Sequence, residues 1–82
     1  MNKLIIYQYI NKLKYEDVVN YCKNSGIVAD ERDLRIVYKY IKNDYRRFFD
    51  NPNQVLTEVK GKVNSNTFRE IMKLYDRYKN FI

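Results

Sequence analysis

Five cations, Arg32, Arg35, Lys39, Lys42 and Arg46, recur at steps of three and four. At about 100° per helical residue they fall on one stripe, and a row of cations so spaced can track nucleic-acid phosphates or hold an acidic partner. Leu34, Val37 and Ile41 lie about 200° away on the same helix, so one side of the segment belongs to a core and the other is cationic. Arg69, Lys73 and Arg77 form a shorter row, and Lys60 and Lys62 add charge between the two. The plainer reading of such rows is the solvated side of a small helix.

Tyr45-Arg46-Arg47-Phe48-Phe49 sets arginines beside aromatics, a combination that stacks on bases or holds acidic groups. The same residues also suit a core cap, with the arginines in water. Cys22, Gly26 and Ile27 fit the turn of a DNA-reading helix-turn-helix, but Arg32 and Arg35 occupy positions where that motif packs apolar residues. Leu13 to Ile36 resembles a SAP-type helix-extended-helix nucleic-acid module at Leu13, Val18, Cys22, Gly26, Ile27 and Ile36, with Glu31 where the module's later loop has glycine.

Enzyme chemistry finds few residues to work with. The chain has no histidine, hence no imidazole base and no Ser-His or Cys-His pair. Gly26 and Gly61 stand far apart, so no glycine-rich phosphate loop forms. Cys22 is alone, which leaves no intrachain disulfide and no multi-cysteine metal site, and it reads as a small core residue. Glu16-Asp17 and Asp30, Glu31 and Asp33 fall at helix starts, where capping and the helix dipole account for them. A calcium loop would need more oxygens around a central glycine. The expectation is a non-catalytic chain with no catalytic, metal or cofactor-binding residues and no cofactor.

Elements that position these side chains emerge from apolar spacing. The 82 residues carry a net charge of +6, are 45% apolar including nine Tyr, and have only two Gly and one Pro. That length suits one domain, 1–82, and the scarcity of turn residues favours helices. The first segment, from about Asn2 to Lys12, carries Ile6 and Ile10 at helical spacing with Leu13 just beyond it; Leu4, Ile5, Tyr7 and Tyr9 make it apolar nearly all round. A second helix, Tyr15 to Asn24, has Tyr15, Val18, Val19 and Cys22 on one face; Lys14 is a poor N-cap, and Gly26 supplies a left-handed stop with Ile27 packing back. The third starts at the N-cap Asp30 and ends between Asn43 and Phe49. The fourth starts at Asn51-Pro52, carries Val55, Leu56 and Val59, and ends near Gly61. The fifth starts at Asn64 or Ser65 and keeps Phe68, Ile71, Met72, Tyr75, Tyr78 and Ile82 on one face.

Taken together, Ile10-Asn11-Lys12-Leu13, Asp17-Val18-Val19-Asn20-Tyr21, Ile27, Ile41-Lys42, Phe49-Asp50-Asn51, Leu56, Asn64-Ser65-Asn66-Thr67 and Glu70 with Leu74-Tyr75 resemble the YqfT-like family of short uncharacterised proteins from Bacillus-like Firmicutes. The resemblance covers most of the chain, departing at Lys14, where a Thr or Ser cap is usual, and at Ser65, where proline is usual. It implies an all-helical cytosolic protein of unknown role and transfers no active-site residues.

The expected fold is all-α, a compact bundle of four to five short helices packed through Leu13, Val18, Val19, Cys22, Leu34, Val37, Ile41, Leu56, Val59, Phe68, Ile71, Met72 and Tyr75. The expected role is a protein-interaction module or homo-oligomer, with Leu4, Ile5 and Tyr7 as the self-association surface, because an all-round apolar helix and abundant Tyr suit an interface. The alternative is a nucleic-acid-binding accessory protein using Arg32, Arg35, Lys39, Lys42, Arg46, Arg69, Lys73 and Arg77. No apolar run approaches the roughly 20 residues of a membrane helix, and Leu4-Ile5-Ile6-Tyr7 is too short and too polar at its flanks for a signal peptide. The expected setting is therefore a bacterial-type cytosol, with no membrane partner.

Overall fold

Five α-helices account for most of the described chain. The computed structural model describes residues 3–81; Asn2 and Ile82, placed on helices above, lie outside them, as does the side chain of Tyr78. The helices are α1 (Lys3–Lys12), α2 (Tyr15–Asn24), α3 (Glu31–Asp50), α4 (Pro52–Lys60) and α5 (Ser65–Tyr78), followed by a short 3₁₀ turn at Lys79–Phe81. No strand occurs among the described residues, so the fold is all-α.

Local sequence accounts for most boundaries. At α2, Lys14 gives no side-chain cap, and Asp17 compensates by accepting from the Lys14 backbone N–H at 2.9 Å. Gly26 ends that helix at φ +70°. Its N–H donates to the Lys23 carbonyl at 3.3 Å, and the Ile27 N–H donates to the Cys22 carbonyl at 2.8 Å. This is the paired closure of a Schellman turn. Asp30 caps α3 by accepting from the Asp33 N–H at 2.8 Å, and Asn51 accepts from the Gln54 N–H at 3.4 Å before Pro52 opens α4.

The third helix departs from its expected end. It continues to Asp50, with one non-helical residue, Asp44, at φ −122° and ψ 15°. The break leaves two helical pieces. Carboxylates hold the joint: Asp44 lies 3.3 Å from the Arg47 guanidinium, which also makes a bidentate ion pair with Glu58 on α4. Tyr40 donates its hydroxyl to the same Glu58 at 3.3 Å.

α3 is the central element, packing on α1, α2 and α4, while α4 also packs on α5. The radius of gyration is 12.1 Å, close to the roughly 12 Å expected of a folded domain this long. Ring contacts join the layers: Tyr7 with Tyr45 (5.0 Å) between α1 and α3, Tyr15 with Tyr38 (6.0 Å) between α2 and α3, and Phe48 with Tyr75 (5.8 Å) between α3 and α5. Among the described residues the buried apolar side chains are Ile10, Val55, Leu56 and Val59. Most of them belong to α4 because that short helix has neighbours on two sides. Leu56 and Val59 belong to the expected core. Leu13, Val18, Val19, Cys22, Leu34, Val37, Ile41, Phe68, Ile71, Met72 and Tyr75 are only half-buried, as befits a chain whose surface-to-volume ratio is high.

Candidate interaction surfaces

The cationic row on α3 does project away from the core: Arg32, Arg35, Lys39 and Arg46 are exposed, and Lys42 is half-buried. Yet most of its members are engaged within the molecule. Arg32 donates to Asp33 Oδ1 at 3.2 Å and to the Lys62 carbonyl at 3.1 Å. Arg35 donates to Glu31 Oε1 at 2.7 and 3.0 Å and lies over the Tyr15 ring at 4.3 Å; the Glu31 hydrogen bond raises its already high pKa. Lys42 turns onto the end of α1, donating to the carbonyls of Ile10 and Asn11 at 3.0 and 2.9 Å. Those carbonyls carry the partial negative charge of a helix C-terminus, which accounts for a lysine there. Arg46 stacks near the rings of Tyr7 and Tyr45 at 5.5 and 5.6 Å. Of the five, Lys39 alone makes no hydrogen bond, ion pair or ring contact among the described residues. On α5, Arg69, Lys73 and Arg77 are exposed, and Lys73 lies 3.3 Å from Glu70.

On α1, Leu4 and Ile5 are 60% and 61% exposed. Tyr7 does not share that surface. It lies three residues from the buried Ile10, on the side of the helix that meets α3, and its ring packs on Tyr45 and Phe49. Tyr9, one turn on from Ile5, is 68% exposed and takes the outward place.

The most deeply buried polar cluster among the described residues is one that spacing in the sequence does not reveal. Asp33 is fully buried. Its Oδ2 accepts from the Thr67 hydroxyl at 2.7 Å and from the Asn64 backbone N–H at 2.9 Å. The Asn64 side chain in turn donates to Asp30 Oδ2 at 2.9 Å. Asp33 thus does for α5, from another helix, what the glutamate of a capping box does within its own. Burial works to raise its pKa, but the hydrogen bonds from Thr67 and Asn64 and the charge of Arg32 together hold it below the ordinary aspartate value. The only sequence signal is an acid in the first turn of α3 and a Thr in the first turn of α5; nothing local says that the two meet.

A cavity of about 340 Å³ opens between α1, α3, α4 and α5. Ile10, Ile41, Phe48, Leu56 and Leu74 are among its walls, and almost no polar atom lines it. Cys22 is half-buried, and burial pushes its thiol pKa up, away from reactivity. Among the described residues no three His, Cys, Asp or Glu side chains converge as metal ligands, and no helix is long and apolar enough to cross a membrane.

No family model matches this chain, and no curated protein or solved structure matches it either.

Proposed function

We propose that this chain is a non-catalytic protein-interaction module of the bacterial cytosol, meeting a protein partner or a second copy of itself through the outer face of α1. The observation that carries the reading is the exposure of Leu4, Ile5 and Tyr9 on a helix whose opposite side is already occupied by α3. Large apolar and tyrosine side chains are what interface centres use, and clusters of them in water mark contact sites. The reading also groups the chain with the YqfT-like family that its sequence resembles.

The test is sedimentation over a wide concentration range, together with capture from lysate with and without nuclease, on the native chain and on the Ile5→Glu, Tyr9→Glu double variant. A self-associating chain gains mass with concentration and the variant does not. A chain with another partner retains it through nuclease treatment and loses it in the variant. A variant indistinguishable from the native chain in both experiments overturns the reading.

The exposed Lys39, with Arg69 and the overall +6 charge, supports a second reading as a nucleic-acid-binding accessory protein. Salt separates the two. Phosphate binding weakens steeply as salt rises, whereas association of two copies each carrying +6 is repulsive at long range and strengthens with screening. Loss of nucleic-acid affinity on charge reversal at Arg35, Lys39 and Arg69, in a variant that remains folded, is the outcome expected of the second reading.

A further inference from the structure

The cavity among α1, α3, α4 and α5 and the charges at its edge fit a single-chain amphiphile. Its 340 Å³ is more than twice the roughly 150 Å³ of an apolar cavity that holds benzene, which scales to a hydrocarbon chain on the order of ten to twelve carbons. The lining is almost wholly apolar, so the space offers nothing to a sugar, a nucleotide or any ligand that must bury donors and acceptors. Two lysines, Lys3 and Lys79, lie near the Phe49 wall of this space. Phe48, Phe49 and Tyr75 form walls of the cavity and also of a smaller adjoining recess of about 90 Å³ that includes Lys79. Lys3 places its Nζ 5.8 Å from the centre of the Phe49 ring. Among the described residues Lys79 pairs with one carboxylate, Asp76, at 3.7 Å, a loose pair between two exposed side chains.

We propose that the cavity binds the tail of a free, single-chain anionic amphiphile, a medium-chain carboxylate, with the head group between Lys3 and Lys79. The binding uses the interior face of α1 and leaves its outer face untouched, so it stands apart from the protein-interaction reading.

Calorimetric titration of the native chain with dodecanoate, below the concentration at which it forms micelles, tests this. One molecule is expected to bind per chain; hexanoate, with half the chain, and dodecyltrimethylammonium, with the opposite charge, are expected to bind at least tenfold more weakly. Reversing both cations, in the Lys3→Glu, Lys79→Glu variant, weakens dodecanoate roughly tenfold, the sum of two exposed charge contacts. Because these are surface substitutions, an unchanged melting temperature shows that the fold is retained. Amide resonance shifts on adding dodecanoate are expected at Ile41, Leu56 and Leu74 and not at Ile5 or Tyr9. Absence of saturable binding, equal binding of the cationic amphiphile, or shifts confined to the outer face of α1 would each overturn the proposal.

Discussion

The Asp33 carboxylate and the Thr67 hydroxyl, 34 residues apart in the chain, meet at 2.7 Å in the interior and tie the first turn of α3 to the first turn of α5. Two helix N-termini point their positive ends at one buried anion, and both gain from its charge. Asp33→Ala removes three hydrogen bonds and leaves the Thr67 and Asn64 donors without their acceptor. The expected loss is about 2–4 kcal/mol, with Thr67→Val costing about 1–2 kcal/mol. Urea unfolding of the two single variants and the double variant checks this, and the double should lose less than the sum because the two share one bond.

Acid should act through the same group. The folded-state pKa of Asp33 lies below its ordinary value, so the unfolded chain binds more protons as pH falls. Its stabilisation is therefore fully present above the unfolded value of about 3.9 and is lost as pH drops through the folded value. Glu58, held down mainly by its hydrogen bonds with Arg47, acts in the same direction, though at a more exposed site. The urea midpoint is expected to be flat from about pH 5 to 7 and to fall below about pH 4. With Asp33→Asn the acid decline should be shallower, from a lower plateau.

Lys42 has a structural duty that distinguishes it from its neighbours in the cationic row. Lys42→Met keeps the aliphatic stem and removes the two hydrogen bonds to the end of α1. A loss of about 1–2 kcal/mol is expected, with amide exchange in α1 accelerating more than in α4. Lys39→Met, at a position without such bonds, should change stability by less than about 0.5 kcal/mol.

The two glycines should respond in opposite directions. At Gly26, with φ +70°, a methyl group would meet nothing within 4 Å, so the cost of Gly26→Ala is purely that of the left-handed backbone, about 1–2 kcal/mol. Gly61 has helical angles, φ −78° and ψ −7°, and a methyl there would make an ordinary 3.6 Å contact with the Glu58 carbonyl. Gly61→Ala is expected to raise stability by about 0.4–1 kcal/mol by restricting the unfolded chain. Thermal melts of both variants decide it.

Much of the architecture is legible residue by residue. Asp30, Asn51-Pro52 and Gly26 mark helix ends by their own chemistry, and the structure places ends there. The spacing of Val55, Leu56 and Val59 marks the buried side of α4, because helical periodicity and burial are two views of one geometry, whereas the buried Ile10 lies outside the expected core. The course of α3 beyond Asn43 was not legible. Its kink at Asp44 sits beside an ion-pair cluster of Asp44, Arg47 and Glu58, the last of which lies on another helix.

For the candidate surfaces the division is sharper. The sequence alone determined that α3 has an apolar side and a cationic side, since 3.6 residues per turn leave its side chains no other arrangement. Only the tertiary structure decided which cations remain available: Lys42 is drawn to the end of α1, Arg32 to the Lys62 carbonyl, and Arg35 to the Tyr15 ring, while Lys39 stays in water. Likewise, Tyr7 and Tyr9 are equivalent in composition, and the packing of α1 against α3 alone turns one ring inward and leaves the other in solvent. Periodicity is a property of one helix. Which face meets which neighbour depends on contacts between residues far apart in the chain.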